Sequence, residues 1–248
     1  MRERFNLDIP NLERIFALVH GNYGVGKTHF LGDMLREEQQ RGGVRFLNVR
    51  GEDGYLSLAN LGVGDVGETV DTLADLQAAL KDYRAEGLRA LAVDGMKQLG
   101  QLVIKSVCGE RLPSVGKGSD DWQRIHKEFE TLVPSLRTVA PIVLCASASD
   151  RSMDQITGET SLTPDFPGRQ AAASGGMFDF VFVMRAQVIG PNKVRRVLQC
   201  APVANTVIRS RLPRPLPAEI DLPENGGGWK KLMTEIESCL KKASKEAA

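Results

Sequence analysis

Gly21-Asn22-Tyr23-Gly24-Val25-Gly26-Lys27-Thr28 fits the pattern G-x-x-x-x-G-K-[ST], and what flanks it decides the fold. Just before it, Ile15-Phe16-Ala17-Leu18-Val19 is a short apolar run of the kind that forms a buried parallel strand. Just after it, Thr28 to Gln40 reads as a helix, with Phe30, Leu31, Met34 and Leu35 as an apolar stripe and Gly42-Gly43 as its stop. Strand, glycine loop and helix come in the order a phosphate-binding loop requires. The glycines let backbone N–H groups converge on phosphate oxygens, and the helix N-terminus adds its positive dipole end. Gly21, Asn22, Tyr23, Gly24, Val25, Gly26, Lys27, Thr28 and the adjoining His29 are therefore expected to hold a nucleotide. Lys27 reaches the β- and γ-phosphates in this reading, and the Thr28 hydroxyl ligates Mg²⁺.

Outward from the loop, the rest of the chain reads as an alternation of strands and helices. Val44–Val49 is a second strand, ending at Gly51-Glu52-Asp53-Gly54. A helix from Val70 to Glu86, a third strand from Leu88 to Val93 and a helix from Met96 to Glu110 follow. Asp120 or Ser119 caps the next helix, which runs to about Val139 with a break near Pro134, and Pro141 introduces a fourth strand. Arg151 to Gly168 reads as a long polar loop. Phe180–Met184 and Val194–Cys200 read as further strands, and Pro213–Gly228 as an extended segment. The fold class expected is α/β, a mostly parallel sheet flanked by helices, with ligands at the carboxyl ends of the strands.

The chain has 248 residues, 42% of them hydrophobic, enough for one large core. We expect residues 1–212 to form that core and 213–248 to add a Pro/Gly-rich extension with an amphipathic helix from Trp229, docked on the core. No run is long and apolar enough for a membrane span, and the charged start lacks the apolar region of a signal peptide, so a cytoplasmic protein without a membrane partner is expected. Cys108, Cys145, Cys200 and Cys239 are far apart and read as buried thiols, and the three histidines form no metal pattern.

Leu91-Ala92-Val93-Asp94 is an apolar strand finishing in a carboxylate, which places Asp94 beside Thr28 as a Mg²⁺ ligand. Hydrolysis also needs a group to activate water. Asp94 is followed by Gly95, not by a second carboxylate. Glu52 therefore takes that role, with Asp53 as its rival, as in ATPases whose glutamate lies on the strand next to the phosphate loop. Ser147 and Ser149, at the end of the fourth strand, are candidate sensors of the γ-phosphate.

These residues, together with Asp121-Trp122, Pro141–Leu144 and Thr163-Pro164-Asp165-Phe166-Pro167-Gly168-Arg169 ahead of Phe178-Asp179-Phe180-Val181, resemble the RecA-like P-loop ATPases. The likeness is closest to small phage-encoded nucleotide-binding proteins with a stripped RecA core, and it covers roughly Ile15 to Leu212. The resemblance implies a RecA-like P-loop core that assembles as a homo-oligomeric ring or filament, ATP with Mg²⁺ between subunits, and single-stranded DNA as partner in recombination, annealing or replication. It also implies that Arg209 and Arg211 match a Lys-x-Arg pair reaching a neighbour's γ-phosphate, with Arg in place of the Lys. Gly95 stands where relatives usually have Ser, Ser147 where many of the phage proteins have His, and the loop Arg151–Gly168 carries one cation and one aromatic residue.

Charge distribution points the same way. Phe180 to Ala218 contains no Asp or Glu, while Arg185, Lys193, Arg195, Arg196, Arg209, Arg211 and Arg214 all fall there, which suggests a polyanion nearby or a solvated basic face. Two other readings stand beside a DNA-stimulated ATPase: a slow-hydrolysing, nucleotide-dependent assembly module, and a small-molecule P-loop kinase with Arg195-Arg196 as a poor lid. A GTPase is disfavoured because Asn192-Lys193-Val194-Arg195 has Arg where an Asp must accept from guanine.

Overall fold

The computed structural model describes residues 14–51, 58, 61–63, 66–114, 120–153, 160–168, 170–191, 193–201 and 206–247. Within them the strands are β1 (Ile15–Gly21), β2 (Val44–Val49), β3 (Gly67–Val70), β4 (Ala90–Asp94), β5 (Ile142–Met153), β6 (Thr160–Pro164), β7 (Phe180–Gly190), β8 (Lys193–Gln199), β9 (Arg209–Ser210) and β10 (Glu219–Leu222). The helices are α1 (Lys27–Glu38), α2 (Leu73–Glu86), α3 (Met96–Cys108), α4 (Asp121–Leu136), α5 (Gln170–Met177) and α6 (Gly228–Ala247).

The sheet runs β10-β8-β7-β1-β5-β4-β2-β3, with β6 beside β5 and β9 beside β7. From β7 through β1, β5, β4 and β2 to β3 every neighbour is parallel. β8 and β10 join antiparallel on the other side. This is the α/β, mostly parallel sheet expected from the sequence. Every residue of β1 and β4 is buried, because a parallel strand in mid-sheet is covered on both faces, hence the continuous apolar runs.

Alternation along the strands sends side chains to two cores. One face, with Ala17, Val19, Ala92 and Leu144, packs on Phe30, Leu31 and Met34 of α1 and on Trp229, Leu232 and Ile236 of α6. The other, with Phe16, Leu18, Val93 and Cys145, packs on Leu76 and Leu80 of α2, Leu99 and Val103 of α3, and Ile125 and Phe129 of α4. Each of the larger buried side chains, the leucines, valines, isoleucines, phenylalanines and Met34, contributes about 1.5–3 kcal/mol.

α6 is thus part of the core. Its start is held by Asp33 of α1, a carboxylate only 1% exposed that accepts from the backbone N–H of Gly227 at 2.7 Å and of Trp229 at 2.8 Å. Arg36 pairs with the same carboxylate, and the Trp229 indole N–H donates to Glu38 at 3.1 Å. A buried carboxylate is tolerable here because its oxygens are occupied by N–H donors.

Several elements differ from the sequence reading. Val70 ends the edge strand β3 instead of starting a helix. α2 begins at Leu73, where Thr72 and Asp75 form a reciprocal capping box. The expected polar loop Arg151–Gly168 is partly a hairpin, since β5 continues to Met153 and pairs with β6. β7 likewise continues past Met184 to Gly190 and pairs with β8 as a ribbon. The short helix α5 and the strand β10 lie in stretches whose Ala/Gly and Pro content masks any periodicity. Pro134 sits inside α4 without breaking it: the helix ends two residues later, at Leu136.

Candidate functional site

β1 delivers the chain to the carboxyl edge of the sheet at Gly21, where a side chain would not fit: a Cβ there would lie 2.5 Å from the Met184 carbonyl oxygen. The loop then curls through left-handed backbone at Gly24 (φ 77°) and Gly26 (φ 102°), positions an L side chain resists, and enters α1 at Lys27. Val25 anchors the loop in the core below, while Asn22 and Tyr23 are exposed above, Tyr23 at 66%. The expected loop residues therefore form one continuous turn between strand and helix.

The Lys27 ammonium donates to the loop's own carbonyls, Gly21 O at 2.9 Å and Asn22 O at 2.8 Å, and lies 5.7 Å from the centre of the Tyr23 ring. Thr28, one residue on, turns its hydroxyl the other way and donates to Asp94 Oδ2 at 2.5 Å. Asp94 is 3% exposed, and its second oxygen accepts from the Gly95 N–H at 3.0 Å. Two strand positions separate these partners, since β5 lies between β1 and β4. A hydroxyl and a carboxylate brought together beside the glycine loop suit a hard divalent cation shared with phosphate oxygens, so Thr28 and Asp94 fit Mg²⁺.

Glu52 and Asp53 lie outside the described residues. Their strand does not adjoin the phosphate-loop strand as expected. β2 pairs with β4 and β3, so β5 and β4 both intervene, a separation of roughly 14 Å at normal strand spacing. β2 is thus the strand beside β4, with Asn48 in register with Asp94.

The serines are not placed with Thr28 and Asp94 either. Ser147 is in register with His20, and the alternation that puts Asp94 and Ala146 on the α1 face puts Ser147 and Ser149 on the opposite one. The Ser147 hydroxyl is buried without a hydrogen-bond partner. Ser149 is 2.8 Å from His20 Nδ1, and His20 Nε2 is 3.0 Å from the Val207 carbonyl. A carbonyl only accepts, so Nε2 carries the proton, and Nδ1 accepts from the Ser149 hydroxyl. Burial, assisted by the nearby Lys27 charge and opposed by the bond to Val207, pushes the His20 pKa down to about 4. His20 is a polar residue in an apolar strand next to the phosphate loop. That was the available signal, but a search for metal spacings passes over it.

Arg209 and Arg211 sit toward the opposite end of the strands. β9 pairs Arg209 with Val181, itself level with Leu18 of β1, three residues back from Gly21. Arg209 donates to the Gly175 carbonyl, and Arg211 pairs with Asp179 at 3.1 Å. Within the chain the structure does not bring them to Lys27. The basic run is partly neutralised internally as well, since Arg195 pairs with Asp221 at 2.6 Å and with Glu219 at 3.5 Å. A further cation lies close to the loop: Lys97, on the first turn of α3, pairs with Asp165 at 2.8 Å. Among the described residues no helix is long and apolar enough to cross a membrane, and no group of three potential metal ligands is present.

A family model described as AAA domain matches residues 13–212, most of the chain. No curated protein matches the sequence. Glycine loop, Lys27, the Thr28–Asp94 pair and the parallel sheet that positions them all fall inside the matched span, and the chain belongs to the AAA domain family, as a nucleotide-binding P-loop ATPase.

Proposed function

We propose that the protein is an oligomeric, RecA-like ATPase that binds MgATP at Gly21–Thr28 and acts on single-stranded DNA. The observation that carries the ATPase part is the 2.5 Å contact from Thr28 to Asp94, which puts a hydroxyl and a carboxylate on the side of the loop where the γ-phosphate belongs. When bound, Mg²⁺ neutralises charge on the β- and γ-phosphates. Lys27 exchanges its loop carbonyls for phosphate oxygens, an ammonium already aimed by the loop. Glu52 takes a proton from the attacking water, and Asp53 is the alternative base. Arg209 and Arg211 of one subunit complete the site of the next.

DNA as the partner is supported by the resemblance and by the β7–β8 ribbon. There Arg185 is exposed, and the residues from Arg185 to Ile189 stand clear of the core. The test is phosphate release from ATP with and without single-stranded DNA, with Lys27→Ala as control. Stimulation by DNA that vanishes in the control is the expected result. Hydrolysis indifferent to DNA removes DNA from the proposal, and wild-type turnover in Lys27→Ala removes the site itself.

A second reading, a slow-hydrolysing assembly module, is favoured by one observation: Ser147 and Ser149 face away from Asp94, which leaves the end of β5 without a sensor on the nucleotide side. Tight ATP binding with negligible turnover in the presence of DNA selects it.

A further inference from the structure

Beside the phosphate loop, on the side away from Asp94, lies a cavity of about 270 Å³. Gly26 and His29 line it from the loop and α1, Met184 and Arg196 from β7 and β8, and Pro223 and Glu224 from the segment after β10. Its position follows from the sheet order. β4 with Asp94 is on one side of β1; β7, β8 and β10 are on the other. A cation held by Thr28 and Asp94 sits at the β,γ end of a nucleotide, so the α-phosphate and nucleoside lead away from β4, toward β7 and β8.

Arg196 is the distinctive group. Its side chain reaches back over the loop, so that a Cβ on Gly26 would lie 3.2 Å from Nε and 3.3 Å from Cδ. Its neighbour Arg195 points to the other face of β8 and is paired with Asp221 and Glu219. Arg196 is half-buried, and no hydrogen bond or ion pair holds its guanidinium among the described residues. His29 lines the cavity across from it. A part-buried cation without a partner is costly unless a ligand engages it.

The wall chemistry selects the ligand. A planar guanidinium, a thioether and a proline ring offer flat, polarizable surface for a heteroaromatic ring, and Glu224 offers a hydrogen-bond acceptor at its rim. The phosphates have the loop N–H groups, Lys27 and the Thr28–Asp94 site. We propose that this cavity is the nucleoside subsite and that Arg196 holds the base by stacking, not the phosphates; the proposal rests on the nucleotide-binding reading above.

The experiment is calorimetric titration of the full chain with MgATP and with magnesium tripolyphosphate, which has the phosphates and no nucleoside. Wild-type protein is expected to bind both, ATP more tightly. Arg196→Ala is expected to weaken ATP about tenfold, within the range of a cation–π contact, and to leave tripolyphosphate within about twofold. Arg196→Lys keeps the charge but not the plane, is the gentler change for folding, and is expected to lose ATP affinity to a similar extent. Equal weakening of both ligands makes Arg196 a phosphate ligand and overturns the proposal, as does unchanged ATP affinity in both variants. Failure of the wild type to bind either ligand refutes the phosphate-loop reading itself, a result distinct from those two.

Discussion

The Thr28 hydroxyl donates to the Asp94 carboxylate at 2.5 Å, which ties the first turn of α1 to the end of β4 over the top of β5. Asp94→Asn keeps an oxygen that can accept this bond but removes the charge a divalent cation needs. The variant is expected to fold with little change in melting temperature and to lose turnover by roughly two to three orders of magnitude, the scale of one electrostatic group in a transition state. Steady-state phosphate release at saturating Mg²⁺ checks this. Near wild-type turnover would mean that Asp94 is not a metal ligand.

Glu52 and Asp53 are separated by comparing Glu52→Gln with Asp53→Asn. Loss of the water-activating carboxylate is expected to lower kcat by about 10²–10⁴-fold while ATP still binds. Whichever variant shows that split carries the base, and two unimpaired variants exclude both.

His20 sets an acid limit on stability. In the unfolded chain it titrates near 6.5, whereas in the folded protein its pKa is pushed down to about 4 by burial, so between these values the unfolded state holds more protons. The stabilising contribution is complete above pH 6.5 and is lost as pH falls toward 4, about 3 kcal/mol in all. Urea midpoints across that window are expected to fall more steeply for wild type than for His20→Leu. Parallel slopes would refute the assignment.

Trp229→Ala removes a side chain 1% exposed that packs on α1 and donates to Glu38. A loss of about 3–5 kcal/mol is expected in chemical denaturation. A loss below about 1 kcal/mol would mean that α6 is only loosely attached.

What could be read from the sequence divides along physical lines. The loop from Gly21 to Thr28, its strand and helix, and Asp94 were legible because local geometry fixes them: glycines for left-handed backbone, a buried strand, a carboxylate at its end. The place of Asp94 beside Thr28 required only the rule that functional groups gather at the carboxyl ends of parallel strands. The neighbours of β2 were not legible, since strand order depends on crossovers that leave no local trace. Ser147 and Ser149 were assigned by strand end alone. Which face they occupy depends on register with β1 and β4, and a one-residue shift reverses it. Arg196 was indistinguishable from Arg195 in a basic run until alternation on β8 separated a paired arginine from an unpaired one.

The chain has two tryptophans, and their placement equips the protein with an optical gauge. Trp229 lies edge-on to Phe30 with ring centroids 6.3 Å apart, and Phe30 follows Thr28 by only two positions. Trp122 sits at a separate surface hollow with His126. In a Trp122→Phe background the remaining emission comes from an indole braced against the phosphate-loop helix, so each small displacement of that helix as the loop fills is converted into a change of fluorescence without any label.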